Sequence, residues 1–215
     1  MAELRATGLS FTYPGSRVPV LDHVDLDART GEALWIGGAN GAGKTTLLEA
    51  LAGLRTPHHG SILWNGRPLT REQTTYIPAD PPLYAELSAR EHIGVVADLW
   101  GLEGIEREEY RHRVVALCDR LELRLGGLWI SQYSSGMRQK LAYALLASLN
   151  TDVLLLDEPF TAMDHQARSA AMEHLGRLLS DRVIVFTSHI GDIVEALDPV
   201  RFSLDAPTNE SRGHS

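Results

Sequence analysis

The chain has 215 residues, 44% of them hydrophobic, and a net charge of −8 with no Lys/Arg cluster to offset it. That apolar content builds one sizeable core and excludes a disordered chain, while the acidic balance argues against a protein that binds nucleic acid by neutralising its phosphates. Cys118 is the single cysteine, which leaves no internal disulfide or cysteine zinc site and suits the cytoplasm; Met1-Ala2-Glu3-Leu4-Arg5 lacks a leader's apolar core, and no run approaches the roughly 18 apolar residues of a membrane span.

From Leu4 to Leu34 the pattern predicts a β-rich opening. Leu9 and Phe11 alternate with polar neighbours before the Pro14-Gly15 turn, and Val24, Leu26 and Ala28 alternate with Asp25, Asp27 and Arg29, as half-buried strands do. Tyr13 closes the first of these, and composition leaves two readings for it: an edge-strand aromatic, or a ring that stacks on a base.

Ala33-Leu34-Trp35-Ile36 then reads as a buried strand, and Leu47, Leu48, Leu51 and Leu54 recur at helical spacing. Between them, Gly38-Ala39-Asn40-Gly41-Ala42-Gly43-Lys44-Thr45-Thr46 fits the phosphate-binding pattern G-x-x-x-x-G-K-S/T without a mismatch. The chemistry explains the residue types. Glycines let backbone N–H groups converge on an anion, Lys44 meets the terminal phosphates, and the Thr45 hydroxyl helps to hold Mg²⁺. The order strand, loop, helix also aims the helix's free N–H groups and positive dipole end at the phosphates.

Gly53 is placed to stop that helix, and Ser61-Ile62-Leu63-Trp64 with Asn65-Gly66 predicts a strand entering a tight hairpin, the β-rich part running on to Tyr76-Ile77. His58 and His59, flanked by Pro57 and Gly60, read as an exposed turn. Asp80-Pro81-Pro82 breaks the pattern, and from Leu83 to Asn150 the composition is helical. Ser88-Ala89-Arg90-Glu91 is a capping box for a helix through Leu99, and Tyr110, Val114, Leu117 and Leu121 share one apolar face, with Cys118 on the same side as a small core residue. The charges at Glu106 to Arg113 form a solvated face. Further on, Tyr133-Ser134-Ser135-Gly136-Met137-Arg138-Gln139-Lys140 is a serine-rich helix start.

Val153-Leu154-Leu155-Leu156 and Val183-Ile184-Val185-Phe186 are continuous apolar runs followed by helical periodicity (Ala171, Leu175, Leu178; Ile190, Ile193, Val194, Leu197), which predicts strands buried on both faces of a largely parallel sheet. The first run ends in Asp157-Glu158, two carboxylates at the sheet edge where open α/β folds bind ligands. One can hold Mg²⁺ beside the cradle hydroxyl, and the other can meet water. After Asp205 the residues are small and polar, and the 206–215 tail is expected to add little structure.

Taken together, these motifs resemble the ATP-binding cassette ATPases over nearly the whole chain. The family's order of adenine-stacking aromatic, P-loop, helical subdomain, signature, Asp-Glu pair, D-loop and switch histidine matches Tyr13, 38–46, 83–150, 133–137, 157–158, Ala162-Met163-Asp164 and His189, with 133–137 a variant of the Leu-Ser-Gly-Gly-Gln signature that retains Ser134 and Gly136. The resemblance implies an α/β fold: a P-loop core with a mostly parallel sheet, an N-terminal antiparallel β-subdomain and an inserted helical subdomain, all within one nucleotide-binding domain over 1–205.

The resemblance also implies roles. Tyr13, Asn40, Gly41, Ala42, Gly43, Lys44, Thr45 and Thr46 would bind ATP, Thr45 and Asp157 the Mg²⁺, and Glu158 would be the base or water-positioning group with His189 beside the γ-phosphate. Two copies would dimerise head to tail, so that Ser134, Ser135, Gly136 and Met137 act on the partner's nucleotide, with Asp164 in the D-loop. The remaining partners would be separate integral membrane permease subunits, which place this chain on the inner face of the cell membrane. The segment Pro81-Pro82-Leu83-Tyr84 through Trp100 is most similar to exporters whose permease has six helices, with Leu83, Tyr84 and the helix after Ser88 receiving it. One position departs from the family: Tyr76-Ile77-Pro78 puts Ala79 where Gln, sometimes Glu, usually stands, with Asp80 next to it. Alanine cannot ligate metal or orient water. The alternative readings are a soluble cassette ATPase in DNA repair or translation, opposed by the lack of a long heptad insertion and of a second cassette, or a weakly hydrolysing regulatory module.

Overall fold

The computed structural model describes residues 2–204; the tail expected over 206–215 lies outside the described residues. β1 (Glu3–Phe11) pairs antiparallel with β2 (Leu21–Arg29), Leu4 opposite Ala28 and Ala6 opposite Leu26, so alternate side chains are buried. β4 (His59–Trp64) lies on the other side of β1 and is followed by β5 (Arg67–Pro68), giving the order β2-β1-β4-β5. Asn65 and Gly66 both take positive φ (49° and 77°), the conformation that a two-residue type I′ hairpin turn demands.

β3 (Ala33–Gly37), β6 (Thr74–Ile77), β7 (Val153–Asp157), β8 (Val183–Thr187) and β9 (Val200–Ser203) form a parallel sheet in the order β6-β7-β8-β3-β9. The fold is therefore the expected α/β one, with an antiparallel sheet beside a parallel core. β6, which the sequence reads as a continuation of the β-rich opening, leaves that sheet and becomes an edge of the parallel one, paired with β7. β7 and β8 are buried at every position, and their alternation divides them between two cores. Val153, Leu155, Val183 and Val185 face the antiparallel sheet and α1 (Lys44–Leu51); Leu154, Leu156, Ile184 and Phe186 face the remaining helices.

α1 ends where the sequence places its stop, at Gly53. Gly53 N–H donates to Ala50 O and Leu54 N–H to Glu49 O, with Gly53 at φ 70°, so a Schellman turn ends the helix and leaves Leu54 exposed. The other helices are α2 (Ala89–Leu99), α3 (Gly104–Arg120), α4 (Ser135–Ala147), α5 (His165–Leu178) and α6 (Gly191–Leu197). The Ser88 box forms as read: Glu91 N–H donates to Ser88 Oγ while Ser88 N–H donates to the Glu91 carboxylate. Tyr110, Val114, Leu117 and Leu121 pack into the helical core, and Tyr110 satisfies its hydroxyl on Leu145 O at 3.0 Å. Burial pushes the Cys118 thiol up to about 12, so it stays protonated and acts as a small apolar filler.

His174 on α5 shares a 3.0 Å hydrogen bond with the buried Tyr143 hydroxyl, and burial, aided by Arg177, Arg182 and Arg120, pushes its pKa down to about 4. An unfolded-chain histidine titrates near 6.5, so the unfolded state binds the proton first as pH falls. This contribution to stability is complete above about pH 6.5 and is lost as pH drops towards 4, about 3 kcal/mol in all. Urea unfolding midpoints between pH 7 and 4.5 should show that loss, and His174→Gln should flatten the profile in that window.

Candidate nucleotide site

β3 runs straight into the cradle loop, and α1 begins at Lys44 with Gly43 at φ 99° as its N-cap and no side chain capping it. A Cβ on Gly43 would stand 2.9 Å from the Val20 side chain, and one on Gly38, at φ 139°, would stand 2.5 Å from Leu204 O. Only glycine fits either place. Lys44 Nζ donates to Gly38 O at 2.8 Å and Ala39 O at 3.0 Å, which holds its charge across the loop mouth beside the uncapped N–H groups of α1.

The sheet edge supplies the acidic half. Asp157, the last residue of β7, is 5% exposed and accepts from Thr45 Oγ1 at 2.7 Å on one oxygen and from Thr187 Oγ1 at 2.7 Å on the other. Tyr76 of β6 donates to the first oxygen at 3.4 Å; burial foremost, then the Asp157 charge, pushes its pKa up, so it keeps its proton. Hydroxyl and carboxylate oxygens adjoining phosphate sites are the donor set Mg²⁺ takes, so Thr45 and Asp157 fit that ion.

Glu158 follows with φ 46°, in left-handed backbone, and its N–H donates to Thr187 Oγ1 at 3.0 Å. Its Oε2 accepts from His189 N–H at 3.2 Å, and Oε1 lies 3.4 Å from His189 Nε2. Tyr13 closes the far end of the cleft, bonded through its hydroxyl to Thr46 Oγ1 at 2.9 Å and packed edge-on to Phe11. Arg55, paired with Glu49, lies 4.9 Å over the Tyr13 ring.

One cleft thus collects Tyr13, Asn40, Gly41, Gly43, Lys44, Thr45, Thr46, Asp157, Glu158 and His189. Ala42 instead packs against the core behind the loop. The signature residues do not line the cleft. Ser134 and Ser135 are exposed at the start of α4, where Ser134 caps the helix by accepting from Met137 N–H at 3.2 Å, and Gly136 and Met137 lie half-buried behind them. Asp164 is also elsewhere: it caps α5 through Ala167 N–H and pairs with Lys140 Nζ at 2.6 Å, contacts that lower its carboxyl to about 2, the Ala167 bond foremost. Ala79 and Asp80 are exposed beyond β6 and outside the cleft. Sequence reading missed Tyr76, Thr187 and Arg55. Only the adjacency of Thr187 to the apolar run 183–186 hinted at one of them, since their roles arise from strand register and helix-end geometry.

Residues 21–161 match the family model described as ABC transporter. The chain belongs to the ABC transporter family. Members of this family bind and hydrolyse ATP. Among its relatives, the Fe(3+) ions import ATP-binding protein of Serratia marcescens is 33% identical over 208 residues, covering 92% of this chain and 58% of that protein. The sulfate/thiosulfate import ATP-binding protein of Caulobacter vibrioides is 34% identical over 191 residues, covering 85% and 56%. The chain therefore spans a little over half the length of these curated relatives. A solved ATP binding subunit of an ABC transporter superposes with a TM-score of 0.80 at 32% identity, over 90% of this chain and 82% of that one. A dimeric bacterial ABC transporter cassette superposes at 0.82 with 21% identity over 95% and 96%, which supports the fold.

Thr187, fully buried, is the hydroxyl that both acidic residues share. Thr187→Val keeps its shape and removes the hydroxyl, leaving one Asp157 oxygen and the Glu158 N–H without this partner. Unfolding free energy should fall by about 1–3 kcal/mol, measured by denaturant titration.

Proposed function

We propose that this chain is the ATP-hydrolysing subunit of a transporter whose membrane-spanning subunits are separate chains, and that residues 1–205 act as one nucleotide-binding domain with 83–150 as its helical subdomain. The observation that carries it is the single cleft in which the Lys44 loop, the Thr45–Asp157 oxygen pair and the Glu158–His189 pair converge. Lys44 and the α1 N-terminus bind the phosphates, and Tyr13 stacks on the adenine. Thr45 and Asp157 would hold Mg²⁺, which would supply neutralisation of the phosphate charge. Glu158 accepts a proton from, or orients, the attacking water, and His189 holds it against the γ-phosphate; catalysis here is positioning and electrostatics.

Ser134 lies outside the cleft and exposed, with its helix N-terminus ready for an anion. This supports a head-to-tail homodimer in which each signature covers the partner's ATP. Among the described residues no helix is long and apolar enough to cross a membrane, so the transport path belongs to other subunits. Their docking surface is the strip where Ile130 N–H donates to Leu87 O and Ser131 N–H to Ala85 O, bringing exposed Tyr84 and Trp129 onto adjoining segments. The exporter-like segment 81–100 supports export; the names of the two relatives are import names and stay with them. A permease places the chain at the inner face of the cell membrane, and pull-down from its own cells should recover an integral membrane protein.

Glu158→Gln should lower steady-state ATP turnover at least about 100-fold while MgATP binding is kept, and should show an MgATP-dependent dimer on size exclusion. Ala79 favours a second reading, a weakly hydrolysing regulatory module, since no amide stands at the loop after β6. Equal turnover in wild type and Glu158→Gln would support that reading. If the missing amide limits the rate, Ala79→Gln raises turnover; an unchanged rate removes it as the limit.

A further inference from the structure

Gln139 of α4 is 5% exposed, yet both ends of its side-chain amide are used across the fold. Nε2 donates to Glu158 O at 3.1 Å, and Oε1 accepts from Ala162 N–H at 2.7 Å. Glu158 sits at φ 46°, a conformation that a residue with a Cβ keeps only when its surroundings hold it. Those surroundings are visible: Thr187 pins its N–H, and its carbonyl accepts from Gln139, the tie to α4, and at 3.2 Å from the Thr161 hydroxyl within its own loop. From that backbone the side chain starts towards His189, where the carboxylate accepts from His189 N–H at 3.2 Å and from the Thr161 hydroxyl at 3.4 Å.

The same helix is pressed on the same loop at two more places. A Cβ on Gly136 would stand 2.7 Å from Ala162 O, and Lys140 Nζ pairs with Asp164 at 2.6 Å. Along this stretch of α4, then, Gly136, Gln139 and Lys140 grip the 158–164 loop, and the N-cap of that helix is Ser134.

We propose that Gln139 is the positioning residue for Glu158: it holds the left-handed backbone that aims the carboxylate and, through α4, ties it to the signature that acts on the partner's nucleotide. This rests on the ATP-hydrolysing reading above. Glutamine is required because it alone carries a donor and an acceptor on one planar amide of this reach. Glutamate keeps the bond to Ala162 N–H but sets an oxygen against Glu158 O, and methionine of similar size makes neither bond.

The test measures kcat and KM for MgATP in Gln139→Glu and Gln139→Met, each also in the Glu158→Gln background, with thermal melting alongside. The expected result is a kcat lowered at least about tenfold with KM within about twofold, and no further loss when either is added to Glu158→Gln. A merely structural role instead lowers the residual rate of Glu158→Gln by the same factor, and that result overturns the proposal, as does a kcat within twofold of wild type. Should Gln139→Met fail to fold, Gln139→Glu, which keeps one of the two bonds, decides the matter. Glu158→Gln impaired with Gln139 variants normal sinks this inference alone; wild type and Glu158→Gln turning over equally removes the hydrolytic reading and this one with it.

Discussion

The Asp157 carboxylate is the interaction on which the rest of the site depends. A carboxylate 5% exposed at the end of a strand buried on both faces is tolerable only if its lone pairs are taken up, and three hydroxyls do so: Thr45 from the cradle helix, Thr187 from the neighbouring strand and Tyr76 from the sheet edge. One side chain therefore links β6, β7, β8 and α1. It fixes the Thr45 and Asp157 oxygens relative to the 38–46 loop.

From that anchor the chemistry extends in two directions. Towards the nucleotide, the alternation of β7 puts Asp157 beside Thr45, while the next residue turns left-handed and presents Glu158 to His189. Away from it, Glu158 O and the loop that follows are gripped by α4, whose own start is the exposed Ser134. The buried lattice is thus continuous from the phosphate loop to the signature, although the two ends lie on different surfaces. In the proposed dimer, such a chain supplies half of each of two sites. Each half is held rigidly by packed helix and sheet, which is what an assembly that closes around a shared ligand needs.

The sequence was most legible where local physics is strong. The cradle reads from its glycines, lysine and threonine, the I′ hairpin from Asn65-Gly66, the α2 start from the Ser88–Glu91 box, and the parallel strands from unbroken apolar runs. It also placed the end of α1 at Gly53, against the leucine spacing that runs on to Leu54. It was silent at β9, where Val200-Arg201-Phe202-Ser203 alternates over only four residues and pairs because the edge of β3 offers unpaired backbone groups.

By itself the sequence determined the strand–glycine loop–helix order around 38–46, the α/β character of the chain and the pair of carboxylates at 157–158, because these follow from residue type and short-range spacing. Only the tertiary structure decided which groups hold those carboxylates. Thr187, Tyr76 and Gln139 are ordinary residues in their own segments and gain their roles from contacts 30, 81 and 19 positions away. Strand register and helix docking are set by burial of the whole core, and no local pattern carries them.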